Sequence, residues 1–315
     1  MHRYTQLTSL LTGLVLTPSL LQGVVINDDV GLANAATYGS QFDAVVGIGG
    51  TFGGENYTWG TGVLIDPYTV LTAAHVDPVI GETIFFGADA STPSQTRTIA
   101  GVANNFTSGS YGDGSDLALV FFSSPVTDIN PYSVTYDYAN IVGKEITMVG
   151  YGHAGIGSEG VATDPTWGDP LENNIKYAGT NTIDYMSIDA RGPRYWADFD
   201  SGLAEDNELG SSTPTQYEAI IGAGDSGGPL LVEQDGEWVV LGITNAGIVQ
   251  SGENDGEYGE QSIWTGLVQA ESWLDAYAEV NVVSLDDPTT NVPEPSSALL
   301  LITGLSTCII RRKRR

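Results

Sequence analysis

Three residues of this 315-residue chain carry side chains that could cooperate in nucleophilic catalysis: His75, Asp116 and Ser226. Ser226 stands in Gly224-Asp225-Ser226-Gly227-Gly228, a serine bracketed by glycines. A serine attacks well only as it loses its proton. A neutral histidine takes that proton, and a buried carboxylate fixes the histidine tautomer and stabilises the imidazolium. The chain has three histidines, His2, His75 and His153, and all of them precede Ser226. The glycine-bracketed serine also fits a nucleophile elbow, but an elbow runs serine, acid, histidine. Nothing after Ser226 can serve as its base, and no strand–helix alternation surrounds it, so that reading fails. His75 sits in "VLTAAHV" at a strand end. Asp116 opens "DLALVFF", at the head of an apolar strand where burial beside a histidine is expected. Asp113, in the preceding turn, competes with it; Asp116 is preferred because it alone abuts the strand. His153, among glycines in "GYGHAGIG", reads as an exposed loop residue.

The elements that must position these groups are mostly strands. Forty glycines, 15 tyrosines and frequent Thr and Val indicate an all-β chain. "WGTGVLI", "TVLTAAHV", "ETIFFGA", "RTIAGVA" and "DLALVFF" form a first set of short strands. "EITMVGYG", "IKYAGTNTID", "GGPLLVEQDGEWVVLGITNAG" and "QSIWTGLV" form a second. Asp235-Gly236 between two apolar runs signals a hairpin. "AESWLDAYAEV" has helical periodicity and predicts a C-terminal helix.

Charge narrows the partners. Residues 24 to 295 hold all 39 acids and five bases, a formal charge of −34. Such a surface repels nucleic acid and anionic membranes and suits a soluble protein in salty surroundings. The one cysteine, Cys308, lies in the C-terminal apolar run, so the folded body has no disulfide.

The ends read as addresses. Residues 1–23, a basic start followed by an apolar stretch and small residues, predict a secretory signal peptide. Residues 283–291 read as a flexible linker. Residues 292–315 combine Pro293-Glu294-Pro295, an apolar run from Ala298 to Ile310 and a basic cluster. That run is short for a bilayer span, which needs about 20 residues. The tail resembles the PEP-CTERM sorting signal of Gram-negative bacteria. The resemblance implies transient inner-membrane retention, processing by an exosortase-type enzyme after signal peptidase, and delivery to the outer surface or medium.

The order His75, Asp116, Ser226, carried by "LTAAHV", "DLALV" and "GDSGGPL", resembles the trypsin/chymotrypsin-like (S1) serine proteases. "GTGVLI", "VGYG" and the terminal "SWL" match further, over residues 24 to 280. The resemblance implies two antiparallel Greek-key β-barrels with a C-terminal helix: residues 24–137 for the first, residues 138–282 for the second and the helix. It implies peptide-bond hydrolysis through an acyl-enzyme on Ser226, with the N–H groups of Gly224 and Ser226 as oxyanion donors. Asp225 is then the partner of a freed N-terminal amine, which Val24 or Val25 supplies if signal cleavage follows Gly23. The substrate pocket falls on Ile220 at its base, Asn245, Ala246 and Gly247 along its wall, and Ser262 facing in. An apolar base suits an apolar side chain before the scissile bond, since burying an unpaired charge is costly. Glu260, two residues from Ser262, would reverse that preference if it faced the pocket. The stretch from about 154 to 215 is a long insertion. No cofactor is expected; "EDNELG" and "SGENDGEYGE" offer oxygen ligands suited to Ca²⁺ without a complete motif. The alternative function is a catalytically silent, surface-displayed binding protein on the same scaffold.

Overall fold

The computed structural model describes residues 24–105, 115–161, 174–190, 192–248 and 256–285. The signal-like segment, Asp113, most of "SGENDG", Cys308 and the tail from 286 onward lie outside the described residues. The chain opens with β1 (Val25–Ile26) and α1 (Leu32–Gly39). A first lobe follows: β2 (Val45–Phe52), β3 (Glu55–Asp66), β4 (Thr69–Thr72), β5 (Thr83–Phe86), β6 (Gln95–Thr98), β7 (Gly101–Asn104) and β8 (Ala118–Phe121). The second lobe holds β9 (Ser133–Val134), β10 (Glu145–Gly150), β11 (Gly155–Ile156), β12 (Gly160–Val161), β13 (Tyr177–Thr182), β14 (Tyr185–Asp189) and β15 (Gly192–Asp198). It closes with β16 (Ala219–Ile220), β17 (Pro229–Gln234), β18 (Glu237–Ile248), β19 (Gln261–Gly266) and α2 (Glu271–Tyr277).

The first lobe is one seven-stranded sheet in the order β6-β5-β2-β3-β4-β8-β7, antiparallel throughout. The second runs β13-β10-β17-β18-β19-β15-β14. Ser133–Val134, which the sequence reading assigns to the first barrel, pairs in parallel with Val239 and Val240 of β18. A small sheet, β12-β11-β1-β16, ties the N-terminal strand to the stretch just before Ser226. The all-β expectation and its C-terminal helix hold. So does the hairpin at Asp235-Gly236, whose residues take φ of 54° and 84° between β17 and β18. That mirror-image turn matches the twist of the flanking strands.

Two differences have local causes. Helix α1 was not expected: "LANAATYG" is alanine-rich and short, without a strong apolar stripe, and its last residue, Gly39, packs closely on the Lys176 main chain. A Cβ at Gly39 would lie 2.4 Å from the Lys176 carbonyl oxygen. Residues 283–285, expected as the start of a free linker, are instead docked. Val283 N donates to Val134 O at 3.0 Å and Leu285 N to Asp137 at 2.8 Å.

Lobe-to-lobe contact is built on apolar burial with one charged exception. Phe42, Val45, Val63, Leu71, Leu119 and Ala73 share a single buried cluster with Val149, Tyr151, Leu231 and Ile243. Lys176 is buried beside that cluster, its Nζ donating to Phe42 O at 2.7 Å and lying 5.4 Å from the Tyr151 ring centroid. Burial pushes its ammonium down to about 7, and Asp43 opposes this only in part. A folded-state value below the ordinary lysine value means the unfolded chain holds the proton more tightly. Stability therefore rises as pH climbs from about 7 towards the ordinary lysine value. Urea unfolding of the wild type should show this rise between pH 7 and 9.5, by up to about 1.4 kcal/mol per pH unit. Lys176→Met, which keeps the stem and removes the charge, should flatten it.

Candidate active site

The first lobe brings two of the three candidate residues together. His75 sits in a single helical turn (Ala74–Val76) directly after β4, and Asp116 sits just ahead of β8. Strands β4 and β8 pair from Thr69–Phe121 to Thr72–Ala118, so their ends hold both residues at one rim. Asp116 is fully buried. It accepts from the His75 main-chain N–H at 2.8 Å, and its Oδ2 lies 2.5 Å from His75 Nδ1. A carboxylate can only accept, so Nδ1 carries the hydrogen and Nε2 is left with a lone pair. Ser226 Oγ lies 2.7 Å from that Nε2. The three side chains thus form one continuous chain of hydrogen bonds across the lobe boundary. The His75 side chain is 19% exposed, which leaves it open to solvent on one side.

The second lobe supplies Ser226 on the loop between β16 and β17, and its shape depends on glycine. Gly224 and Gly227 take φ of 88° and 82°, in the region that side chains disfavour. A Cβ at Gly227 would lie 2.0 Å from Thr72 Oγ1, and one at Gly224 would lie 2.7 Å from the Gly152 Cα. Among the described residues no main-chain acceptor takes the N–H of Gly224 or Ser226. Both N–H groups are thus without a main-chain partner beside the serine hydroxyl, and stabilising an oxyanion requires such donors.

Asp225 turns away from Ser226 into the protein. It is 1% exposed and accepts from Gly152 N at 3.1 Å and Gly222 N at 3.0 Å. Burial pushes its carboxyl up to about 7. Strand β1 comes close to this spot. Val25 pairs with Gly155 and Ile220, and Val24, 1% exposed, continues that register towards Ala154 and Ile221, next to the Gly222 that serves Asp225.

The expected pocket residues divide. Ala246 is half-buried and Gly247 exposed at the end of β18, beside the site. Ile220 is 2% exposed and packs with Val25, Val161 and Phe199, with Tyr258 against them. Ser262 does not face into an open pocket: it is fully buried, and its Oγ accepts from Ile221 N at 3.1 Å. Asn245 is not a wall residue either. A register shift between Thr244 and Ala246 gives β18 an extra residue against β19, and the bulge re-aims Asn245 inwards. Its Nδ2 donates to Asp116 Oδ2 at 2.8 Å. Glu260, the feared carboxylate, is 3% exposed and accepts from Gly256 N at 2.7 Å. His153 is half-buried rather than exposed, its N–H on Ala223 O at 3.2 Å. Burial holds its imidazole down at about 4.

One residue was missed. Thr61 of β3 is fully buried, and its Oγ1 donates to Gly224 O at 2.8 Å and accepts from Tyr151 N at 3.0 Å. Its own N–H donates to Ser226 O at 2.9 Å, and its carbonyl accepts from Thr72 Oγ1 at 2.7 Å. "GTGVLI" signalled a strand, and only the fold shows that the threonine inside it stitches the serine loop to the first lobe.

A seven-stranded and an eight-stranded lobe, almost wholly antiparallel, with a serine, histidine and aspartate at their seam define a chymotrypsin-like double barrel. The Trypsin family model matches residues 29–274, and the chain belongs to that family. It is therefore a serine-type peptidase by family, acting on proteins or peptides.

The stitch makes a prediction. Thr61→Val keeps the shape and removes the hydroxyl, leaving Gly224 O and Tyr151 N without it. Urea unfolding should show a loss of about 1–3 kcal/mol. Thr61→Ser, which keeps the hydroxyl, should recover most of it.

Proposed function

We propose that this chain is an exported serine endopeptidase in which Ser226 is the nucleophile, His75 the general base and acid, and Asp116 the orienting carboxylate. The observation that carries the reading is the unbroken bond chain Asp116–His75–Ser226. Ser226 Oγ attacks the substrate carbonyl carbon as its proton passes to His75 Nε2. The resulting oxyanion takes hydrogen bonds from the N–H groups of Gly224 and Ser226. His75 then gives the proton to the leaving amine nitrogen as the C–N bond breaks, and water repeats the sequence on the acyl-enzyme. Asn245, holding the same carboxylate oxygen as His75, is a positioning residue that holds Asp116 in place. Oxyanion donors of this kind are worth about 10²–10³ in rate each.

For the residue before the scissile bond the reading is an apolar side chain. Support comes from Ile220 within an apolar cluster and from the Glu260 carboxylate being engaged with Gly256. The ends belong to the same proposal: signal-peptidase cleavage, transient membrane retention by residues 292–315, exosortase-type processing and surface or extracellular delivery. The PEP-CTERM resemblance supports this part. Cleavage after Gly23 would free the Val24 amine where β1 reaches the Asp225 neighbourhood.

Two experiments follow. A fluorophosphonate should label Ser226 in processed protein, and labelling should vanish in Ser226→Ala and His75→Ala. Unlabelled, correctly processed wild type would point to a silent binding scaffold instead. The second concerns Asp225. A carboxyl raised to about 7 by burial stabilises the fold fully below its ordinary value of 3.8, and that contribution is lost as pH rises through about 7. A chain that keeps residues ahead of Val24 should lose stability between pH 4 and 7, by up to about 1.4 kcal/mol per pH unit. A chain beginning at Val24 should lose much less, because its ammonium balances the carboxylate; equal slopes would refute the pairing.

A further inference from the structure

The second lobe carries a group of carboxylates that the hydrolytic machinery does not use. Asp198, at the end of β15, is fully buried. Its Oδ2 accepts from Glu208 N at 2.5 Å and Leu209 N at 2.8 Å, its Oδ1 is buried with no N–H or O–H donor on it, and its carboxyl faces that of Asp184. Asp200 is 3% exposed, and its Oδ1 is likewise buried and unpartnered. A third such oxygen is Asn207 Oδ1 on the same excursion of chain. Glu218, 1% exposed, closes that excursion: Oε2 accepts from Thr215 N at 2.7 Å and Oε1 from Asp200 N at 3.4 Å.

Buried carboxylate oxygens are normally satisfied, and burying them unpaired costs several kcal/mol. The charges that act on Asp200 are all negative: Asp198, Asp184 and Asp206. Those acting on Asp184 and Glu218 are carboxylates as well. Arg194, the nearest base along β15, pairs with Asp189 instead. The protein thus gathers anionic oxygens in a dry place, and among the described residues no basic group is one of the charges acting on Asp200.

We propose that residues 198–218 bind one hard divalent cation of the Ca²⁺ type, with Asp198 Oδ1, Asp200 Oδ1 and Asn207 Oδ1 as its side-chain ligands. Among the described residues no three His, Cys, Asp or Glu side chains converge on one point. The proposed shell is two carboxylates and an amide oxygen, completed by main-chain carbonyls and water, which suits Ca²⁺ with its 6–8 oxygen ligands. The absence of nitrogen and sulfur donors disfavours zinc. The site has a structural consequence. Glu218 leads directly into β16, which pairs with β1, and on to Ile221 and Gly222, which brace Ser262 and Asp225. A cation there orders the chain entering the Ser226 loop. It does so whether or not Ser226 is a nucleophile.

The test uses the full chain carrying Ser226→Ala, which cannot digest itself, stripped with EDTA. Ca²⁺ should bind with one-to-one stoichiometry by calorimetry and raise Tm by about 5 °C or more at a hundredfold excess over Kd. Tb³⁺ should bind competitively with luminescence sensitised by Trp196. Asp200→Asn separates the alternatives. If the carboxylates hold a cation, this variant is at least as stable as its parent in EDTA, because repulsion falls, yet loses the Ca²⁺ response tenfold or more in affinity. Asn207→Ala, on the excursion itself, should weaken binding without unfolding the chain. No calorimetric signal and no Tm shift at millimolar Ca²⁺, or an undiminished response in Asp200→Asn, overturns the proposal. Fluorophosphonate labelling of the wild type reads the hydrolytic assignment separately.

Discussion

A carboxyl group with no exposure to water sits where the two lobes meet, and the site is organised around satisfying it with hydrogen-bond donors. Asp116 belongs to the first lobe, at the head of β8, and three donors reach it: the His75 N–H, His75 Nδ1 and Asn245 Nδ2. The third comes from the second lobe. Removing water from a carboxylate costs several kcal/mol unless charge and donors replace it, so the lobes are held to one relative arrangement by the need to satisfy this group. The same bonds set the imidazole tautomer. Structural necessity and chemistry therefore coincide at one side chain.

The serine loop is fixed by steric closeness as much as by hydrogen bonds. Gly227 and Gly224 approach Thr72 and Gly152 too closely for any Cβ, and Thr61 holds the loop from the opposite lobe through both its side chain and its main chain. Asp225 points the other way, into a fully buried space served by two N–H groups. The loop is suspended between first-lobe threonines, second-lobe glycines and the neighbourhood of the N-terminal strand. A change at any of the three would displace the Gly224 and Ser226 N–H groups.

Much of this was legible before any coordinates. Residue order alone separated a two-lobe hydrolase from an elbow, because no histidine follows Ser226, and alternating short apolar runs marked the strands. What escaped was anything decided by a single-residue shift. Asn245 reads as one more position along β18, and only the bulge at Thr244–Ala246 turns it towards Asp116. Ser262 was expected to face the substrate pocket, and its hydroxyl instead serves Ile221 N. His153 sits among glycines, a loop signature, yet the loop folds onto Ala223. Thr61 lies in a strand whose pattern speaks of burial but not of partners 163 positions away. Periodicity reports which side of a sheet a residue occupies; hydrogen-bond partners across lobes depend on register and bulges, which carry no local pattern.

The central claim is that Ser226 Oγ, activated through His75, forms and releases an acyl intermediate. Mixing processed protein with an activated ester and following both product release and intact mass tests it directly. The account predicts a burst of leaving group equal to the enzyme present and an acyl mass increment that maps to the peptide containing Ser226. Hydrolysis with no burst and no adduct, or an adduct on another residue, would contradict it.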